Sequence, residues 1–440
     1  MKKDLEKLYF SRTLLEKLKK WIDRKEIYAI KGPRQSGKTT LLKMLENWLI
    51  TQKKVKPENV VFITFEDREV LEKFSLNPKE YIKSFIGKKT QERFYFLIDE
   101  FHYLKDGGQK LKLLYDIFDN IKFIITGSSS LELTGKTAKF LVGRLFSFHL
   151  WQLSFEEFLN VKFSQLSNVY QKRTKSVKEF ILQGRDFSLP KKDIFGRDLG
   201  KAFEEYVIWG GYPEVIKTED KETKKVILKN IYNTYISRDV IELLKITDYS
   251  KLKVILGLLS SQIGNLINYN NLAGDSQSYF KEIKRHLSVL EETFIIVLLK
   301  PFCTNKASEL KKNPKVYFID TGLRNYILDN FQELSLRPDA GQIIENAAFN
   351  QIKTIQEETF SINYWRTLAK AEVDFIIKKE NEIIPIEVKY SFLEKPRISR
   401  GFRSFLSEYR PKRAVVLSKN FWGEMKVNST LIKFIPVYYL

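Results

Sequence analysis

Through the first 150 residues, short apolar runs alternate with stretches in which apolar residues recur every three or four positions. EIYAIKG, VVFITFED, FYFLIDE, KFIITGSS and LFSFHL read as strands, with amphipathic stretches between most of them. That alternation predicts an α/β fold: a parallel sheet with helices on its faces. From 201 to 265 the spacing turns helical, as in KKVILKNIYNTYISRDVIELL. NYNNLAGDSQSYFKEIKRHLSVLEE (268–292) then predicts helix, turn, helix. In its second helix Phe280, Ile283, Leu287 and Leu290 share a packing face, while Lys281, Lys284, Arg285 and Ser288 share another. TFIIVLLKPF, a basic turn and VYFID complete a hairpin, so this part has the pattern of a winged helix. Residues 161–200 are basic and show no period; they read as a connecting insertion.

The last hundred residues change period again. GQIIENAAFNQIKTI (341–355) predicts a helix with Glu345 near its start and Ile344, Ala348 and Ile352 on its packing side. AEVDFIIKKENEIIPIEVKY (371–390) predicts two strands joined by a polar turn. Asp374 interrupts the first strand. Glu387 and Lys389 lie two apart on the second and so point to one side, opposite Ile386 and Val388. From these residues alone, an ordinary hairpin with a wet face and the metal-binding edge of a nuclease both remain open.

Composition sets bounds on these readings. A chain of 440 residues predicts two or three domains, and 43% hydrophobic residues suffice for real cores. The net charge of +21 favours an anionic polymer or surface as partner, and residues 388–440 alone hold 11 Lys/Arg against 3 Glu. A lone cysteine, Cys303, excludes an internal disulfide framework and fits a reducing compartment. MKKDLEKLYFSR lacks the apolar core of a signal peptide, and FIIVLL (294–299) is too short to span a bilayer. A cytoplasmic protein with no membrane partner is expected. His102, His149 and His286 make no zinc spacing with Cys303.

The chemistry is clearest near the start. GPRQSGKT (32–39) lies between the first strand and the helix TTLLKMLENWL, with the Walker A spacing of Gly32, Gly37, Lys38 and Thr39. Gly32, Pro33, Arg34, Gln35, Ser36, Gly37, Lys38, Thr39 and Thr40 are the expected nucleotide contacts. Backbone N–H groups there curl around phosphate oxygens at a helix N-terminus, Lys38 offsets β/γ charge, and Thr39 ligates Mg²⁺. RFYFLIDE ends in Asp99, expected to hold Mg²⁺ of a bound ATP, and Glu100, expected to polarise the attacking water. FIITGSSS offers Thr126 or Ser128 to the γ-phosphate or the water. Arg144, before LFSFHL, is a candidate for stabilising transition-state charge, in cis or from a neighbouring subunit of a homo-oligomer.

These motifs, with TGSS, GRLFSFHLWQLSFEEFL, GGYPEVI (210–216) and YISRDV (235–240), resemble a prokaryotic family of AAA+-type ATPases. The resemblance implies a multidomain chain: a P-loop ATPase core (1–160), the basic linker (161–200), a helical lid and winged helix (201–330), and a restriction-endonuclease-like α/β domain (331–440). Glu345, Asp374 and the Glu387-x-Lys389 pair resemble a PD-(D/E)xK core. That implies a second divalent cation, Mg²⁺ or Mn²⁺, held by Glu345, Asp374 and Glu387, with Lys389 steering hydroxide. The basic segments KPRISRGFRSF and YRPKR would suit a nucleic-acid backbone, DNA more than RNA. Cleavage, and an ATP-driven switch whose terminal domain only binds a partner, stand as alternatives.

Overall fold

The structure, a computed structural model, describes residues 10–87, 91–127, 140–190, 192–234, 240–244, 249–302, 312–355 and 360–440. Two compact units account for the chain: Met1–Leu153 with Glu292–Phe294, and Ser154–Glu291 with Ile295–Leu440. The helical part and the C-terminal part, expected as separate domains, lie within the second unit.

The first unit holds five strands, β1 (Ile27–Lys31), β2 (Val60–Thr64), β3 (Phe94–Asp99), β4 (Ile121–Gly127) and β5 (Leu145–His149). All neighbours are parallel, in the order β2-β3-β4-β1-β5. Successive side chains leave opposite faces of a strand, so one set of residues builds two cores. Ile27, Ala29, Phe94, Phe96, Ile98, Phe123 and Ile125 pack on one face; Tyr28, Ile30, Tyr95, Leu97 and Ile124 pack on the other. Burial on both faces is why these strands read as continuous apolar runs. The order has a functional consequence, because β4 separates β1 from β3. Thr126, at its tip, therefore lies between the loop after β1 and the end of β3.

In the second unit, helices Ser250–Ser261, Tyr269–Asp275 and Phe280–Glu292 precede an antiparallel hairpin, β6 (Ile296–Leu299) and β7 (Lys315–Phe318). Lys315 also bridges to Leu266, so the start of β7 is paired on both edges. Ile283, Leu287 and Leu290 are buried as their spacing predicts. Phe280 is not. It is 46% exposed, because it opens the helix and lies beyond the packed surface.

A six-stranded sheet follows, in the order β12-β13-β11-β10-β9-β8. Its strands are β8 (Phe360–Arg366), β9 (Glu372–Lys379), β10 (Glu382–Lys389), β11 (Arg413–Ser418), β12 (Gly423–Val427) and β13 (Thr430–Pro436). Helix Ala340–Thr354 buries Ile344, Ala348 and Ile352, and helix Arg400–Tyr409 packs Phe402, Phe405 and Leu406 on the sheet.

The segment read as an aperiodic linker is largely the helix Ser164–Gln183. Its buried residues Tyr170, Thr174, Val177 and Ile181 do recur at helical intervals, but lysines and arginines at the intervening positions mask the stripe. The helix belongs to the second unit's core. The Tyr170 hydroxyl donates to the Leu440 carbonyl (3.3 Å), and Arg413 Nε donates to the Ile181 carbonyl (3.1 Å).

GGYPEVI also acquires a role. Gly210 has φ 79°, and a Cβ there would meet the Asp320 carboxylate at 2.3 Å. The Gly211 N–H donates to that carboxylate (2.7 Å). YISRDV lies outside the described residues except for Val240, which is buried.

Nearby, the buried guanidinium of Arg324 pairs with Asp339 at 2.6 Å, and Arg337 pairs with the same oxygen at 2.9 Å. Burial alone would raise the Asp339 carboxyl, but its hydrogen bonds to Arg337 and Arg324 outweigh that and hold it down at about 2. The stability it contributes is present above the ordinary value of 3.8 and lost as pH falls through about 2. Asp339→Asn should therefore cost about 3 kcal/mol near neutral pH by leaving buried guanidiniums unpaired. Urea denaturation checks this: the gap to wild type should shrink markedly in acid near pH 2.5, and an unchanged gap would refute it.

Candidate functional site

The loop between β1 and the helix Lys38–Thr51 holds Gly32 to Thr40 in the expected order. Its path depends on three backbone features. Gln35 (φ 57°) and Gly37 (φ 92°) adopt left-handed conformations that fold successive N–H groups inward. Gly32 passes so close to the next strand's end that a Cβ would lie 2.1 Å from the Leu150 carbonyl. Ser36 is fully buried, and its Oγ has no hydrogen-bond partner, leaving a polar atom inside the loop. Lys38 donates to the carbonyls of Gly32 (3.1 Å) and Pro33 (3.0 Å).

Asp99, 2% exposed, accepts from the Thr39 hydroxyl at 2.6 Å through one oxygen and from the Thr126 hydroxyl through the other. Thr126 in turn accepts from the Glu100 N–H (3.1 Å). The tips of three elements are thus joined by one hydrogen-bond chain. Glu100 has φ 51°, and its Oε2 lies 2.9 Å from Nδ1 of His102. Burial would raise its carboxyl, but His102, Lys38 and Arg34 outweigh that and hold it below the usual glutamate range. Glu100 is therefore anionic, as a group that polarises water must be. The inward N–H groups, the unpartnered Ser36 Oγ and the Thr39–Asp99 pair fit a magnesium nucleotide.

Two expected residues stand apart. Ser128 lies outside the described residues. Arg144 precedes β5, and its carbonyl accepts from the N–H of Ile27, at the opposite end of β1 from the phosphate loop. Five strand residues separate the two, about 16 Å, and Arg144 Nε is paired with Asp116 at 3.1 Å. This placement sets Arg144 apart from the phosphate loop and pairs it with Asp116.

Residues missed in the sequence also shape this site. Arg12, 6% exposed, donates to the carbonyls of Ser36 (2.7 Å) and Trp151 (2.6 Å). It clamps the phosphate loop from a helix that precedes β1. Its partners are backbone atoms 24 and 139 residues away, and no local pattern betrays them. His102, three residues beyond Asp99, carried a signal only as a polar residue beside Glu100.

The second unit gathers the other candidates. β9 and β10 pair as far as Phe375 and Ile386, and β10 then continues beside β11. Where the strands part, the Asp374 carboxylate accepts from the Val388 N–H at 2.8 Å. Glu387 is 3% exposed; one oxygen lies 3.1 Å from Lys389 Nζ and the other is buried with no hydrogen-bond partner. Glu345 accepts from the Tyr317 hydroxyl (2.6 Å) and from Lys315 Nζ (3.2 Å), both on β7. Lys315 also lies 2.5 Å from Glu372. Burial and then the Glu345 charge push the Asp374 carboxyl upward, and Lys315 draws it partly back.

The four motif residues are therefore neighbours in the fold. In this arrangement, among the described residues, no group of three or more His, Cys, Asp or Glu could hold a metal ion, and the charge on Glu345 faces the Lys315 ammonium.

Residues 24–159 match the family described as AAA domain. The parallel five-stranded sheet and the phosphate loop of the first unit resemble an AAA+-type P-loop ATPase core. Residues 200–334 match a domain of unknown function (DUF8612), and residues 340–439 match another (DUF4143). An uncharacterized protein of Haemophilus influenzae is 27% identical over 96% of this chain and 96% of its own. One from Methanocaldococcus jannaschii is 26% identical over 88% of this chain and 80% of its own. The Aeropyrum pernix ORC1 protein in complex with DNA aligns over 72% of this chain and 91% of its own, at 11% identity and a TM-score of 0.30, too slight a likeness to argue from. Among the described residues no helix is long and apolar enough to cross a membrane.

The clamp can be tested directly. Arg12→Ala removes two charge-assisted bonds from the loop's support, a loss of about 1.5–3 kcal/mol. Titration with a fluorescent ATP analogue should then give binding weakened by about ten- to a hundredfold, while unchanged affinity would make Arg12 a structural residue only.

Proposed function

We propose that the protein is a Mg²⁺-dependent ATPase whose turnover drives a nucleic-acid-binding second unit, with DNA the favoured partner. The observation that carries this reading is the 2.6 Å bond between Thr39 and the buried Asp99, with anionic Glu100 next in sequence. Thr39 and Asp99 would hold Mg²⁺, which when bound offsets phosphate charge. Lys38 exchanges its loop carbonyls for phosphate oxygens, Glu100 orients and polarises the attacking water, and Thr126 keeps Asp99 in place. Arg144, about 16 Å of strand away from the phosphate loop, is assigned to a neighbouring subunit of a homo-oligomer.

For the second unit, three helices, the short pairing at Leu266 and the β6–β7 hairpin support a winged helix. Lys281, Lys284, Arg285 and Ser288 are exposed along one face of helix Phe280–Glu292, a surface suited to phosphates. Arg285 is partly committed, donating to the Leu244 carbonyl at 2.9 Å. The fork of β9 and β10, with Asp374, Glu387 and Lys389 around it, supports a nuclease-like fold. A specific observation favours binding over cutting at this fork: the Lys315–Glu345 ion pair at 3.2 Å. In this second reading the domain is an ATP-governed switch or scaffold.

One set of assays separates these readings. Wild type should hydrolyse ATP with Mg²⁺; Lys38→Ala should abolish turnover, and Glu100→Gln should abolish turnover while retaining nucleotide. Turnover surviving in Lys38→Ala would defeat the ATPase assignment. A rate per subunit that stays constant across protein concentration would remove the trans role of Arg144. Single-stranded, duplex and branched DNA, incubated with Mg²⁺ or Mn²⁺ and with or without ATP, tests the second unit. Cleavage lost in Asp374→Ala supports a nuclease; ATP turnover without cleavage of any substrate supports the switch, and no binding to any of these DNAs refutes DNA as the second unit's partner.

A further inference from the structure

We propose that Lys315 is the resident cation of the C-terminal carboxylate cluster, and that while it is seated it keeps divalent cations out. Glu345, Glu372, Asp374 and Glu387 bring four carboxylates to the fork of β9 and β10. Lys315 Nζ lies 3.2 Å from Glu345 and 2.5 Å from Glu372, with 1% of its side chain exposed. An ammonium so deeply buried is tolerated only because these carboxylates surround it.

The lysine is presented by a rigid arm. Its residue pairs with Leu299 in the hairpin and bridges to Leu266, so its backbone is held on both edges. Two residues along β7, on the same face, Tyr317 donates its hydroxyl to the very oxygen of Glu345 that faces Lys315. Burial and the Glu345 charge push the Tyr317 phenol upward, so it remains a donor. Across from β7, the Gly264 turn closes over Glu345: a Cβ there would stand 3.2 Å from Oε1. Glu345 is thus covered by β7 and by the turn before it.

An independent observation marks a place for a ligand. Glu387 Oε2, on a residue 3% exposed, is buried with no hydrogen-bond partner, beside the Asp374 carboxylate that accepts from the Val388 N–H. A buried carboxylate oxygen left without a donor is costly. Charge points the same way. Arg366 lies 3.0 Å from Glu372, and Lys389 lies 3.1 Å from Glu387. Lys315 completes the set of cations that face these carboxylates, and its withdrawal leaves them one cation short. Cation uptake at this fork therefore requires β7 to lift its ammonium away. The lock depends on the cluster's geometry and holds whether or not the second unit cuts nucleic acid.

The test uses the full-length protein with Mn²⁺ as the only added ligand and no nucleotide, followed by electron paramagnetic resonance of the unbound ion. Wild type should take up no Mn²⁺ at the fork. Lys315→Met, which preserves the side chain's length without its charge, should bind one Mn²⁺ at least about tenfold more tightly than wild type, as expected for removing a neighbouring like charge. That gain should vanish in Lys315→Met/Asp374→Asn. Lys315→Gln, which keeps a hydrogen-bond donor for Glu345 without the charge, should give the same gain and serves if Lys315→Met does not fold. Wild-type uptake that is lost in Asp374→Asn would overturn the proposal, as would no gain in the folded Lys315 variants. Because the readout is bound Mn²⁺, absence of DNA cleavage in every variant would count against the nuclease reading and leave the lock intact.

Discussion

A charge taken out of water must be met by an opposite charge or by several hydrogen bonds, and the working parts of both units are organised around that requirement. In the first unit the buried group is Asp99, whose two oxygens are met by Thr39 and Thr126. Those partners sit on the helix after the phosphate loop and on β4, so satisfying one carboxylate fixes three elements relative to one another. In the second unit the buried groups are Lys315, Arg324 and Asp320. Arg324 is met by Asp339 and Asp320 by the Gly211 N–H, while Lys315, met by Glu345 and Glu372, ties the hairpin to the C-terminal helix and sheet.

The same requirement separates the two sites chemically. At the phosphate loop, backbone N–H groups, Lys38 and the unpartnered Ser36 Oγ leave capacity directed at an anion. At the β9–β10 fork, the carboxylates' capacity is largely taken by Lys315, Tyr317, Lys389 and the Val388 N–H. One site is built for a ligand from outside. The other is mostly satisfied from within, and Glu387 Oε2 is the exception that suggests it can change.

Much of the first unit was legible because its information is local. The inner strands β1, β3 and β4 are largely apolar runs, since burial on both faces demands them, and the phosphate loop is specified by eight consecutive residues. Helix Ser164–Gln183 was not legible, although its buried stripe has a helical period. Its basic residues resemble solvated filler until Leu440 and the Ile181–Arg413 bond give the stripe something to pack against. Phe280 erred the other way: its spacing suits the core, but at the first position of its helix it has no core to reach.

The sequence by itself singled out the candidate residues: Lys38, Thr39, Asp99 and Glu100 in one unit, and Glu345, Asp374, Glu387 and Lys389 in the other. It did so because strand period and loop spacing decide which side chains share a face. Only the tertiary structure decided what those side chains meet. The strand order put Thr126 beside Asp99 and carried Arg144 to the far end of the sheet; pairing of β7 on both edges put Lys315 among the carboxylates. Those outcomes depend on contacts between residues tens to hundreds of positions apart, and the electrostatics of a buried site are set by such contacts rather than by neighbours along the chain.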